Sequence, residues 1–108
     1  MSVVIKLKKI RDALLNVSDA VGHYTFSKNM NEYIVWAEDG EGDSLHLNDQ
    51  KNEQTITGTI DLFTKNEYSE TIDKIQEALN KSRISFVLQS VQYEEETKYI
   101  HYEWRFEI

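Results

Sequence analysis

The chain has 108 residues, a net charge of −7 and no cysteine, and is 40% hydrophobic and 11% aromatic. That is the length of one ordinary domain with one core, and the missing cysteines exclude disulfides, thiolate metal sites and a cysteine nucleophile. The acidic balance argues against sequence-independent nucleic-acid binding, which needs clustered lysine and arginine; no apolar run approaches the roughly 20 residues of a membrane span.

The opening residues Met1-Ser2-Val3-Val4-Ile5-Lys6 lack the apolar stretch of a secretory signal, so a soluble protein made in a cytoplasm is expected. Ser2 is placed to cap a helix running to about Asn16. Val3, Leu7, Ile10, Leu14 and Val17 fall on one face, with Lys6, Lys9 and Asn16 opposite. That helix is expected to lie on a sheet with its lysines outward. Residues 1–30 carry Lys6, Lys8, Lys9, Arg11 and Lys28 against Asp12 and Asp19, five bases minus two acids, a net of +3. Residues 31–108 carry seven bases and seventeen acids, a net of −10. A solvated basic helix face is the plain explanation. The sharper one is an electrostatic contact with an acidic surface, such as a neighbouring copy of the chain.

After Gly22, His23-Tyr24-Thr25-Phe26 is predicted as a short strand and Ser27 to Glu32 as a polar turn. Tyr33-Ile34-Val35-Trp36-Ala37 is a continuous apolar, β-prone run, predicted as a central strand. Glu38 to Asn52 holds Gly40, Gly42 and the carboxylates Glu38, Asp39, Glu41, Asp43 and Asp49. A mobile loop over about 38–52 is expected there, and loops of that length are commonly functional. Asp39, Glu41 and Asp43 mimic the start of a calcium loop, but Ser44 and Gln50 stand where glycine and glutamate belong, so no calcium site is predicted.

Gln54 to Phe63 reads as a strand with Ile56, Gly58, Ile60 and Leu62 on one face. Thr64-Lys65-Asn66-Glu67 fits a capping box with Phe63 and Tyr68 in the flanking staple positions. Ser69 is a competing cap, which would start the helix four or five residues later. Tyr68, Ile72, Ile75 and Leu79 mark the apolar face of that helix, which runs to about Asn80. Two strands follow, Ile84 to Tyr93 and Tyr99 to Ile108, around the turn Glu94 to Lys98. Alternation in the second predicts a half-buried hairpin, with Phe86 opposite Phe106, Leu88 opposite Trp104 and Ile84 opposite Ile108. Phe86, Leu88, Trp104 and Phe106 are the expected core. Val87, Val91, Tyr99, His101 and Arg105 are the outer face, apolar and aromatic enough to meet a neighbouring subunit. The order of elements predicts one α+β domain over 1–108. It is an antiparallel or mixed sheet of about four to five strands with two helices packed on one face.

Chemical motifs are missing. His23, His46 and His101 lack metal-ligand spacing. Glu94-Glu95-Glu96 reads as a solvated turn, and the sequence has no phosphate loop, nucleophile elbow or dinucleotide fingerprint. No catalytic, metal or cofactor residue is assigned, and enzymatic activity is not expected.

Three stretches carry a family resemblance: YIVWAEDGEGDS (Tyr33–Ser44), GTIDLFTKNEYSETIDKIQEAL (Gly58–Leu79) and SVQYEEETKYIHYEWRFEI (Ser90–Ile108). Their apolar and aromatic pattern resembles the small tail-completion proteins of tailed phages and prophages, of the tail-terminator or tail-to-head-joining type. The resemblance implies helices packed on one side of a sheet. It also implies a ring, commonly of six subunits, that caps the tail tube, stops its growth and meets the head connector at the tail–head junction of the virion. DNA would only pass through such a ring; an acidic bore, lined by loop 38–52 or turn 94–98, would repel it. The resemblance implies no cofactor and no catalytic residue. A ring needs heterologous contacts, and the residues expected to make them, or to touch the tube, are Lys6, Lys8, Lys9, Arg11, Asp39, Glu41, Asp43, His101 and Arg105. The rival expectation is a small adaptor domain that binds one protein through loop 38–52.

Overall fold

The computed structural model describes residues 2–27, 29–42 and 54–108. Two helices and a five-stranded mixed sheet make an α+β fold. The elements are α1 (Val3–Leu15), β1 (Val21–His23), β2 (Glu32–Glu41), β3 (Ile56–Thr64), α2 (Glu70–Lys81), β4 (Ser85–Tyr93) and β5 (Ile100–Glu107). The sheet order is β1-β2-β3-β5-β4. Among the described residues only the β1–β2 pair is parallel.

Both helices start where a hydroxyl can satisfy a free backbone N–H. Ser2 accepts from the Ile5 amide at 3.0 Å, and Ser69 accepts from the Thr71 amide at 3.1 Å. The competing cap at Ser69 therefore prevails over the Thr64 box. Thr64 is instead the last residue of β3, fully buried, with its hydroxyl bonded to Glu32. The later start leaves Tyr68 outside the helix and 84% exposed, so it does not join the core as expected. α2 ends in a Schellman turn, in which the Ile84 amide donates to the Leu79 carbonyl (2.9 Å) and the Arg83 amide to that of Asn80 (3.0 Å). Arg83 takes φ of 58° to close it.

The even-numbered residues of β2, β3 and β5 face the helices. Ile34, Trp36, Ile60, Leu62, Trp104 and Phe106 meet Ile10, Ala13 and Leu14 of α1 and Ile75 and Leu79 of α2 in one core. This is the predicted two-layer arrangement, with the alternation of β3 and β5 placed as expected. α1 packs against β1 and α2 against β4, so the two helices lie toward opposite edges of the sheet.

Three boundaries differ from expectation. β1 covers Val21–His23, because Tyr24 turns the chain with φ of 74°. β2 continues through Glu38 to Glu41, where a loop was predicted, since pairing with β3 satisfies its backbone; the rest of that expected loop, from Asp43, lies outside the described residues. In the hairpin, Phe86–Phe106 and Leu88–Trp104 pair as predicted, but the register shifts between Leu88 and Ser90. A bulge of this kind advances every later residue by one. Val91 thus sits opposite Tyr102 on the helix side and not on the outer face. Neither helix reaches over this part of β4: Leu88, expected in the core, is 42% exposed, and Val91 and Tyr93 are exposed too.

Gly58 sits where three strands approach closely. It pairs with Glu38 of β2 and Phe106 of β5. A Cβ there would stand 2.6 Å from the Phe106 ring and 2.7 Å from the Glu38 Cα, and would overlap the Ala37 carbonyl. Gly58→Ala is expected to destabilise the fold by about 2 kcal/mol through overpacking, measurable by urea unfolding; an unchanged midpoint would count against this packing.

Candidate interaction surface

The face of the sheet turned away from the helices carries the outward residues of β2, β3 and β5. At one end five rings form a continuous cluster. Phe26 lies on Tyr33 (5.1 Å between centroids), Tyr33 on Phe63 (4.9 Å) and Phe63 on His101 (4.3 Å), while Tyr99 meets Tyr33 and Phe63 edge-on. Each ring comes from a different strand or loop, and strand pairing brings them together: Tyr33 opposite Phe63, and Phe63 opposite His101. The Lys65 ammonium stands 5.0 Å from the Tyr99 ring, within range of a cation–π contact. The Tyr99 hydroxyl donates to the Met30 carbonyl, which ties the turn before β2 to this face.

At the other end Arg105 of β5 forks onto Asp39 of β2, with Nη2 at 3.0 Å from Oδ1, and Thr57 of β3 donates to the same oxygen at 3.0 Å. The Asp39 carboxyl is held below its ordinary range by these Arg105 hydrogen bonds, and Arg105 is raised in turn by Asp39. Both side chains are about half exposed, so the pair contributes less than about 1 kcal/mol. Between the two ends lie Asp61, His101 and Glu103. His101 Nε2 is 2.7 Å from Asp61 Oδ1, and each side chain is 20% exposed. One donor atom from each of the three lies within 4.8 Å of the others.

A second cluster borders β1. His23 is sandwiched between Tyr24 and Trp36, at 3.9 Å from each ring, and bonds the Glu38 carboxylate at 2.7 Å. Tyr24 donates to the other Glu38 oxygen. Burial pushes the Glu38 carboxyl up, but the bonds from Tyr24 and His23 outweigh it and the net shift is downward. The same bond raises the Tyr24 phenol. His23 and His101 thus each engage a carboxylate.

The nine predicted contact residues separate. Lys8 and Arg11 are exposed on α1, Arg11 pairing locally with Asp12 at 2.9 Å. Lys9 is half-buried. Lys6, expected outward, bends back to donate to the Gln54 carbonyl and, at 3.5 Å, to that of Ile108, so its charge closes the end of the sheet. Asp39 and Arg105 meet each other, and Glu41 is exposed at the end of β2. Asp43 lies outside the described residues, and His101 belongs to the Asp61–Glu103 group. Sequence reading missed Tyr33, Phe63 and Asp61 as surface-site residues. Tyr33 and Phe63 look like core in an apolar run, and Asp61 gains its partner only when β3 pairs with β5.

The surface also includes β4. Among the described residues it is an edge strand paired only with β5, and its nine residues SFVLQSVQY contain no charge and no proline. Val87, Leu88, Val91 and Tyr93 are all exposed along it. No family model matches the chain, and no curated protein does.

Proposed function

We propose that the chain is a non-catalytic virion-assembly protein of a tailed phage or prophage. In this reading it is a tail-completion protein that forms a ring on the tail tube, stops its growth and joins it to the head connector. The observation that carries the reading is strand β4. A long, uncharged, apolar sheet edge is a pairing hazard that monomeric proteins blunt with charges, proline or a covering element. Here nine residues have, among the described residues, no strand paired to their outer side, as a subunit that finishes its fold within an assembly would leave them. The two-layer α+β fold agrees with what the sequence resemblance implies.

Charge is distributed to match a head-to-tail contact. The basic helix α1 packs by β1 at one edge. The acidic turn Glu94-Glu95-Glu96 leaves β4 at the other. In a ring, unlike edges of successive subunits meet, so Lys8 and Arg11 face an acidic neighbour. Lys6 does not take part, because it is held by the Gln54 carbonyl. Reversing both charges, Lys8→Glu with Arg11→Glu, is expected to abolish rings or tube capping while leaving the unfolding free energy within about 0.5 kcal/mol, as for ordinary surface changes. Rings that persist in the variant would refute this role for α1.

The reading itself is tested by electron microscopy and native mass spectrometry of the purified protein with and without tail-tube protein. Rings or capped tube ends support it. A strict monomer that ignores tubes would instead support a small adaptor.

A further inference from the structure

We infer that Asp61, His101 and Glu103 bind one divalent cation of the zinc type on the open face of the sheet. Asp61 pairs directly with Glu103 across β3 and β5, and Phe63 pairs with His101. His101 and Glu103 are two apart on one strand and so share a face. The three donor atoms already lie within 4.8 Å of one another. His101 Nε2 and Asp61 Oδ1 are 2.7 Å apart. Ligands bonded to one zinc ion at about 2.0–2.1 Å stand about 3.0–3.4 Å from each other. Exchanging the shared proton for a metal ion therefore requires a slight spreading of His101 and Asp61, with Glu103 drawing in from its place within 4.8 Å of both.

Features other than proximity favour a cation. Asp61 and Glu103 are like charges set directly opposite on neighbouring strands, an arrangement that destabilises a sheet unless a positive charge sits between them. Arg105, the next outward residue of β5, feels Glu103 through space, but its guanidinium is forked onto Asp39. The imidazole is also fixed before any ion arrives. Phe63 stacks on it at 4.3 Å and 18°, and Phe63 is itself stacked on Tyr33. A prepositioned ligand loses little freedom on binding.

Ligand chemistry selects the ion. One imidazole with two carboxylates suits zinc and its transition-metal neighbours, whereas calcium and magnesium prefer all-oxygen shells. Three protein ligands leave a coordination position for water or for a group from an adjoining molecule, on the face of the sheet away from the helices.

The test is a calorimetric titration of chelator-treated, full-length protein with zinc chloride, together with thermal unfolding in the presence and absence of zinc. One zinc per chain and a higher unfolding temperature are expected, with no such response to magnesium or calcium chloride. Asp61→Asn, His101→Ala and Glu103→Gln should each weaken binding at least about tenfold. His23→Ala and His46→Ala should leave it unchanged. Unfolding curves in zinc-free buffer show which variants fold, and the shape-conserving Asp61→Asn and Glu103→Gln carry the test if His101→Ala does not. Absence of zinc binding overturns the site, as does binding that survives those two changes or is lost in His46→Ala.

Discussion

Replacing Trp104 with alanine will cost about 4 kcal/mol of folding stability, the usual scale for deleting a buried tryptophan. For a domain of this size that corresponds to roughly 15–30 °C in unfolding temperature. Trp104 is fully buried at the middle of β5, with Ile60 of β3 on one side and Leu88 of β4 on the other. Its indole N–H donates to Gln76 Oε1 at 3.0 Å, which links the sheet to α2. Two effects are lost together, and their sizes differ. Trp104→Phe keeps most of the volume and loses mainly the hydrogen bond, so it should cost about 1–2 kcal/mol. The cavity therefore dominates. Leu88→Ala, at the facing position, should cost under about 1 kcal/mol, because 42% of that leucine already meets solvent. Urea unfolding of the three variants tests the ranking; Leu88→Ala matching Trp104→Ala would contradict the exposure of β4.

A second large loss is expected at Glu32, the first residue of β2. Its carboxylate accepts hydrogen bonds from the hydroxyls of Thr64 (2.6 Å), Thr71 (2.6 Å) and Ser69. These join the end of β3 and the first turn of α2 to the start of β2. A carboxylate at a helix N-terminus also complements the helix dipole. Glu32→Ala leaves the buried Thr64 and Ser69 hydroxyls without their acceptor and should cost about 3 kcal/mol. Burial by itself pushes the Glu32 carboxyl up, but the bonds from Ser69, Thr64 and Thr71 and the charge of Lys74 reverse the balance, and its pKa is lowered. A carboxyl lowered on folding contributes stability that is full above its unfolded pKa, near 4.3. That contribution is lost as pH falls through the folded value. Unfolding midpoints measured from pH 7 down to pH 3 should therefore fall more steeply in the natural chain than in Glu32→Gln. Parallel curves would dismiss the linkage.

Glu32 shows where sequence reading stops. In the sequence it closes a polar stretch that looks like a turn, and its three partners lie 32, 37 and 39 residues away. No local pattern marks such a residue. The same holds for the ring stack: Tyr33 and Phe63 have the composition of core residues and yet face outward, because the alternation that buries Ile34 and Leu62 must turn their neighbours to the other side. Asp39 and Arg105 were both legible as surface charges, but their pairing needed β2, β3 and β5 side by side.

What short-range physics controls could be read along the chain. Helical spacing in α1 and α2, the Ser2 cap, the alternation of β3 and β5 and the first part of the hairpin register all follow from contacts between residues close along the chain. They suffice for the two-layer α+β class, since each apolar stripe admits one buried direction. Folding set what depends on distant pairing. It placed β5 between β3 and β4, which assembled Asp61, His101 and Glu103. It also shifted the hairpin at Leu88 and Ser90, which moved Val91 to the opposite face. The open edge of β4 follows from the same cause: which strand ends a sheet is set by the order of all five, and no strand carries that information in its own residues.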